Sequence, residues 1–217
     1  MINHHPPFEM IVDYATGALP AGVALVAATH AAMCAECRSV VEQLETLGGV
    51  LLGDMEAKPL EGKLLTSVLD KLGEPEVPAG ANTQTLDAAT QKLIPRPLRR
   101  YVTRSLKDLD WRSIAGVMKE ARLPVRTRGV TVSLMQLPPG LAPKHGHYGH
   151  EYSLVLAGGY KDAGQQFLPG DFAMKDSADV HQQVIDPDGG CICLVALDAP
   201  LRLTGLAGRL LNPFLRI

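Results

Sequence analysis

"HAAMCAEC", residues 30–37, sets one His and two Cys at H-x3-C-x2-C spacing inside a stretch of otherwise apolar helix formers. The chain is sparing with both residue types, with 4 Cys and 7 His in 217 residues. On a helix, positions i and i+4 share a face, so His30 and Cys34 are expected to point at one ion. Cys37, one turn further on, supplies a third corner from the start of the next helix. A closed structural zinc site takes four N or S donors. In the first 72 residues the remaining candidates are His4 and His5 of the N-terminal arm "MINHHPPFEM". A thioredoxin-type thiol pair is the competing reading, but that chemistry follows a strand in a βαβ unit, and neither pattern surrounds Cys34 and Cys37.

The sequence around this motif reads as helical. "FEMIVDYATGALP" brings Ile11, Tyr14, Ala15 and Ala18 near one face and is closed by Gly17 and Pro20. "AGVALVAATHAAM" is almost wholly apolar. The next segment sets Val40, Val41, Leu44, Leu47 and Leu51 on one stripe opposite Glu42 and Glu45. "LEGKLLTSVLDKL" adds a stripe of Leu60, Leu64, Leu65, Val68, Leu69 and Leu72, which belongs either to a core within the domain or against a partner's groove. Four such helices make a small core, so exposed apolar surface is expected unless a metal or a partner assists. Pro, Gly, Ala and Thr then dominate residues 73–95, which read as a linker with a short helical piece near 86–93.

From residue 96 onward the period changes. "GVTVSLMQL", "YSLVLAGGY" and "CICLVAL" are strand-like runs separated by "LPPG", "LPGD" and "DPDGG" turns, a spacing that predicts a sandwich or barrel. "HGHYGHE" contains H-x-H-x3-E, residues 145–151. Alternate strand residues face one side, so His145 and His147 enter the barrel together, and Glu151 opens the following strand on the same inward face. His181 arrives on a strand read from "ADVHQQV", after the "LPGD" turn. Three imidazoles and a carboxylate suit zinc or another divalent first-row ion. His150 reads as a bystander, with a place beside Glu151 that makes it the alternative ligand. Cys191 and Cys193 share a face of their strand, either as small core residues or as a redox pair near the metal.

Composition narrows the function classes. Net charge is −2 and the pI about 6.4, which gives no basic field for nucleic acid. No apolar run reaches the ~18 residues of a membrane span. The N-terminus lacks a signal-peptide pattern, so a cytoplasmic location is expected.

Residues 30–37, with a His about 25 positions upstream, resemble the zinc-binding anti-sigma domain, and residues 145–151 with His181 resemble the metal motif of cupins. Together with "DAPLR" and the terminal "PFLRI", the whole chain resembles the ChrR-type anti-sigma factors. That resemblance implies a multidomain α plus β fold: a helical zinc domain over 1–72, a linker over 73–95 and a cupin-like domain over 96–217. It implies zinc ligands His5, His30, Cys34 and Cys37 in the first domain, and His145, His147, Glu151 and His181 in the second. It also implies a non-enzymatic role. The first domain would hold a group IV (extracytoplasmic-function) sigma factor, and the second would release it on sensing singlet oxygen or organic peroxide. The alternative function is a metal-dependent cupin enzyme such as a dioxygenase.

Overall fold

The computed structural model describes residues 1–60, 62–72, 86–114 and 116–204. Residues 73–85 of the expected linker and the terminal "PFLRI" lie outside the described residues. Helices α1 (Phe8–Ala15), α2 (Ala21–Met33), α3 (Ala35–Gly53) and α4 (Leu64–Lys71) precede a short α5 (Ala88–Leu93). Pro7 and Pro20 stand at the N-caps of α1 and α2, where the missing N–H and fixed φ cost nothing. Asp87 caps α5 by accepting from the Thr90 N–H at 2.7 Å.

The strands follow in chain order: β1 (Arg112–Ile114), β2 (Met118–Arg122), β3 (Thr131–Leu137), β4 (Gly140–Leu141), β5 (His145–His147), β6 (Glu151–Gly158) and β7 (Tyr160–Asp162). After them come β8 (Gln165–Phe167), β9 (Phe172–Lys175), β10 (Val180–His181), β11 (Val184–Ile185), β12 (Cys191–Leu197) and β13 (Leu201–Leu203). The segment read as one strand around His181 is therefore two, β10 and β11, which belong to different sheets. Among the described residues a six-stranded sheet runs β1-β2-β3-β12-β6-β9. A three-stranded sheet (β10-β5-β13) and a four-stranded one (β4-β11-β7-β8) form the remaining walls of the barrel. All strand pairings are antiparallel.

The run "CICLVAL" is apolar throughout because β12 is covered on both faces. Leu194 and Ala196 belong to a core shared with α2, while Cys191, Cys193, Val195 and Leu197 point into the barrel. The helix-side core joins Val23, Leu25, Val26 and Ala27 of α2 to Leu134, Leu154, Leu156 and Phe172 of the sheet. That explains why α2 is apolar on every side. Gly22 permits the approach: a Cβ there would fall 2.7 Å from Val130 and 2.8 Å from Val132. The C-terminal end of the expected linker joins the same core through Ile94, and Leu98 just beyond it is fully buried as well.

Helices α3 and α4 behave differently. Val41 is buried and Leu44 packs against it, but Leu47 and Leu51 of the same stripe are exposed. Leu64, Leu65, Val68 and Leu69 of α4, with Leu60 and Leu72 on either side, are exposed as well. Among the described residues the α4 stripe thus has no core to join.

Two candidate metal centres

The first centre lies where α2 gives way to α3. His30 occupies the last turn of α2 and is completely buried. Cys34 is not on the helix face that its spacing suggested. It is extended (φ −106°, ψ 112°) and serves as C-cap of α2 and N-cap of α3 at once. Its sulfur accepts from the Cys37 N–H at 3.5 Å. Breaking the helix at Cys34 swings Cys37 back toward His30, so the centre is built from a helix end, a junction and a helix start.

His5 completes the group. Its Nδ1 is 3.3 Å from Cys37 Sγ and 3.5 Å from Cys34 Sγ, and His30 Nε2 is 3.2 Å from Cys37 Sγ. The ligand atoms of all four residues lie within 4.8 Å of one another. Zinc bonds of ordinary length place tetrahedral N and S ligands roughly 3.3–3.8 Å apart, so the donor set and spacing fit that ion. The choice left open between the two N-terminal histidines falls to His5. The His4 ring instead stacks on Phe167 (centroids 4.2 Å apart), with Nε2 3.0 Å from the Gln166 carbonyl.

The electrostatics agree with a cation at this point. Burial lowers the His30 imidazole to about 4, which keeps the ring neutral and able to ligate. Burial, and next the charge of Cys34, push the Cys37 thiol up to about 12. Two thiolates in this place need a positive ion, and binding one would displace their protons. His30 Nδ1 donates to the Gly170 carbonyl at 2.9 Å, which leaves Nε2 free for a metal.

The second centre faces the barrel interior. His145 and His147 leave the same side of β5, and β10 places His181 directly opposite His145. The His181 Nε2 lies 3.0 Å from His145 Nε2 and 3.2 Å from His147 Nε2. His145 Nδ1 donates to the Pro143 carbonyl at 2.9 Å, and His181 Nδ1 donates to Asp162 at 3.0 Å. Both Nε2 atoms therefore present lone pairs to each other, an arrangement that repels without a proton or a metal ion between them. Glu151 stands beside the trio, its Oε2 4.0 Å from His145 Nε2 and 3.8 Å from His147 Nδ1. His150 is turned away, with Nδ1 2.8 Å from the Asp198 carboxylate.

Sequence spacing gave no sign of the residues behind these ligands. Asp162 is buried between His181 and Lys175, whose Nζ is 2.9 Å away. The hydrogen bond from His181, and then that from Lys175, hold its carboxyl well below the usual carboxylate range against the opposing effect of burial. This carboxylate–imidazole pair fixes the ring's tautomer for a metal. Asp162 and Gly170 lie 19 and 140 residues from the histidines they orient. Only a signal of spatial proximity would have found them.

A cavity of about 50 Å³ adjoins the second centre, lined by His145, Glu151, Ser153, Glu120, Ser133 and Cys193 among others. Cys191 and Cys193 are both buried, with their sulfurs 3.4 Å apart and not bonded as a disulfide. No helix among the described residues is long and apolar enough to cross a membrane.

Comparison with known proteins adds three findings. Residues 100–200 match the family described as the ChrR cupin-like domain. Over 100% of its length the chain is 36% identical to the anti-sigma-E factor ChrR of Cereibacter sphaeroides, covering 99% of that protein. The fold superimposes with a TM-score of 0.78 on a chain from the solved complex of Rhodobacter sphaeroides SigE with the anti-sigma ChrR. That match has 33% identity and covers 91% of this chain and 100% of the other.

Proposed function

The chain belongs to the ChrR family of anti-sigma factors, and we propose that it sequesters an extracytoplasmic-function (group IV) sigma factor through its helical half. The observation that carries this is the pair of uncovered apolar stripes on α3 and α4: Leu47, Leu51, Leu64, Leu65, Val68 and Leu69 are exposed, although α2 and the sheet bury theirs in a common core. Exposed apolar surface of this extent marks an interaction site, and a groove between helices of a partner would bury it. The solved relative held by SigE supplies the class of partner.

Residues 1–72 act as the gripping unit, 73–95 as the connection and 96–217 as the sensing unit. Zinc held by His5, His30, Cys34 and Cys37 ties the arm, α2 and α3 together; a closed set of four protein ligands makes its role structural. The second centre takes zinc or another divalent first-row ion on His145, His147 and His181, with Glu151 as the fourth donor. It faces a cavity and carries two buried thiols nearby, which suits a sensor of singlet oxygen or organic peroxide. The enzyme alternative has less support. The cavity is about 50 Å³, against roughly 300–1,000 Å³ for sites that enclose organic substrates. With no nucleic-acid or membrane partner, the protein works in the cytoplasm beside the polymerase it regulates.

The test is co-expression of the full chain with the group IV sigma factors of its own organism, each in turn, followed by size exclusion and metal analysis. A one-to-one complex that dissociates after treatment with tert-butyl hydroperoxide or a photosensitiser supports the whole reading. A stable complex that ignores both oxidants keeps the grip and removes the proposed signal. Absence of a complex overturns the reading.

A further inference from the structure

The helical half supplies all four residues of its candidate metal centre, but the contacts behind two of them come from the barrel. We infer that the barrel turn over residues 168–172 is the outer shell of the His5, His30, Cys34 and Cys37 centre, and that Gly170, Asp171 and His4 are positioning residues through which the barrel sets how tightly that centre holds its metal. The inference rests on the reading of those four residues as a metal site.

Two of the four ligands are oriented from this turn. The Gly170 carbonyl receives the Nδ1 hydrogen of His30 and so directs Nε2 at the metal position. His5 has no helix to hold it; it is placed by the residues just before it. Asp171 is 1% exposed, and its Oδ1 accepts from the backbone N–H groups of Asn3 (2.7 Å) and His4 (3.0 Å). Its Oδ2 accepts from the Leu168 N–H at 2.8 Å. The arm answers with its own carbonyl: the Phe172 N–H donates to His4 O at 3.0 Å, along the outer edge of β9. The side chain of Ile2 lies on the turn itself, where a Cβ on Gly170 would fall 2.4 Å from Ile2 Cδ1.

The cost of losing this contact holds the arm down. If the arm lifted, the Asp171 carboxylate would give up two of the three backbone donors described above and exchange them for water, losing charge-assisted bonds that favour the docked arm. The arm that brings His5 to the metal is thus tied by its backbone to the sensing half, while on the helical side Ile2 packs against the cluster of Ile11, Cys34, Cys37 and Val41 and the His5 ring lies 3.8 Å from Glu36. The same strand reaches the other centre: Lys175, at the far end of β9, holds Asp162, which holds His181. A disturbance around His181 therefore has a short covalent route, β9, to the arm.

Cobalt loaded into the full-length protein tests this. Thiolate-to-cobalt charge-transfer absorbance reports the first centre alone, because the second has no sulfur ligand among its candidates. The rate at which a chelator removes that band measures retention. His4→Ala, at a partly exposed position, and Asp171→Asn should each speed removal about 10- to 100-fold, the range typical of outer-shell changes at metal sites. His4→Phe keeps the ring stack on Phe167 and should recover part of the retention. Amide exchange over residues 2–5 should quicken in His4→Ala in step with metal loss. Removal at the parent rate in His4→Ala, with the arm's amides exchanging faster, would overturn the inference while leaving the metal site standing. A parent protein with no charge-transfer band would overturn the metal reading and the inference together.

Discussion

Helix α2 and the apolar stripes of α3 and α4 are all rich in aliphatic side chains, yet their fates are opposite. In α2, Val23 and Val26 are 2% and 0% exposed, held between the sheet and the residues after α5. On the α3 and α4 stripes, Leu51 and Leu65 are 60% and 66% exposed. The sheet accepts one helix through the gap at Gly22 and has no room to cover the other two. Hydrophobicity alone does not separate core from interface; the distinction lies in which apolar surface the chain has the means to bury. Among the described residues α4 is left uncovered, which is the basis for proposing it as the surface that meets a partner.

The largest expected effect removes the junction between the two helical regions. Cys34→Ser takes one ligand from the first centre and the sulfur cap from α3. Structural zinc contributes on the order of 10–16 kcal/mol to small zinc-dependent folds, so the arm and the α2–α3 junction should lose their order. Zinc analysis should show one equivalent lost, and sigma binding should disappear. Retained binding by the zinc-deficient variant would mean that the grip does not depend on the ion.

Charge on the uncovered α4 stripe should separate grip from fold. Leu65→Asp is expected to weaken sigma binding at least about 100-fold, equivalent to ~2.7 kcal/mol, while unfolding stability stays within about 0.5 kcal/mol because the side chain is exposed. Titration calorimetry and urea unfolding read the two quantities separately. A large loss of stability would show that α4 is part of the fold.

The converse variant lies in α2. Leu25→Ala should cost about 2–5 kcal/mol of stability and leave the affinity of the folded fraction for sigma unchanged. Gly22→Ala forces a methyl against Val130 and Val132 and should cost about 1–3 kcal/mol, read as a lower urea midpoint. If either change weakened sigma binding more than stability, the contrast between the two helical regions would fail.

The smallest effect on the resting complex is expected at the second centre. His181→Ala should remove one metal equivalent from the barrel and blunt release by oxidant, with sigma affinity before treatment within about threefold of the parent. Normal release in this variant would move sensing away from the histidine trio.

Much of this was legible in the residues themselves. Helical periodicity located α1, α3 and α4, a run of apolar helix formers located α2, and alternation (β3) or short apolar runs (β6, β12) between turn signals located the strands. The spacings H-x3-C-x2-C and H-x-H pointed to residues that the fold does bring together, because near neighbours along the chain ride on one local backbone, while Glu151 stands beside the second group and not in it. The same reasoning misplaced Cys34 on a helix, since a helix break at a cap has no periodic signature. It left His4 and His5 equivalent, and it left the α4 stripe open between core and interface. Those choices were decided by contacts between distant segments. Phe167 and Gln166 take His4 and hand His5 to the metal centre. The sheet buries α2 and stops short of α4. Gly170 and Asp171 reach across more than a hundred residues to hold a ligand and the arm. A backbone carbonyl and a turn carboxylate carry no pattern of their own along the chain; packing alone gives them a partner.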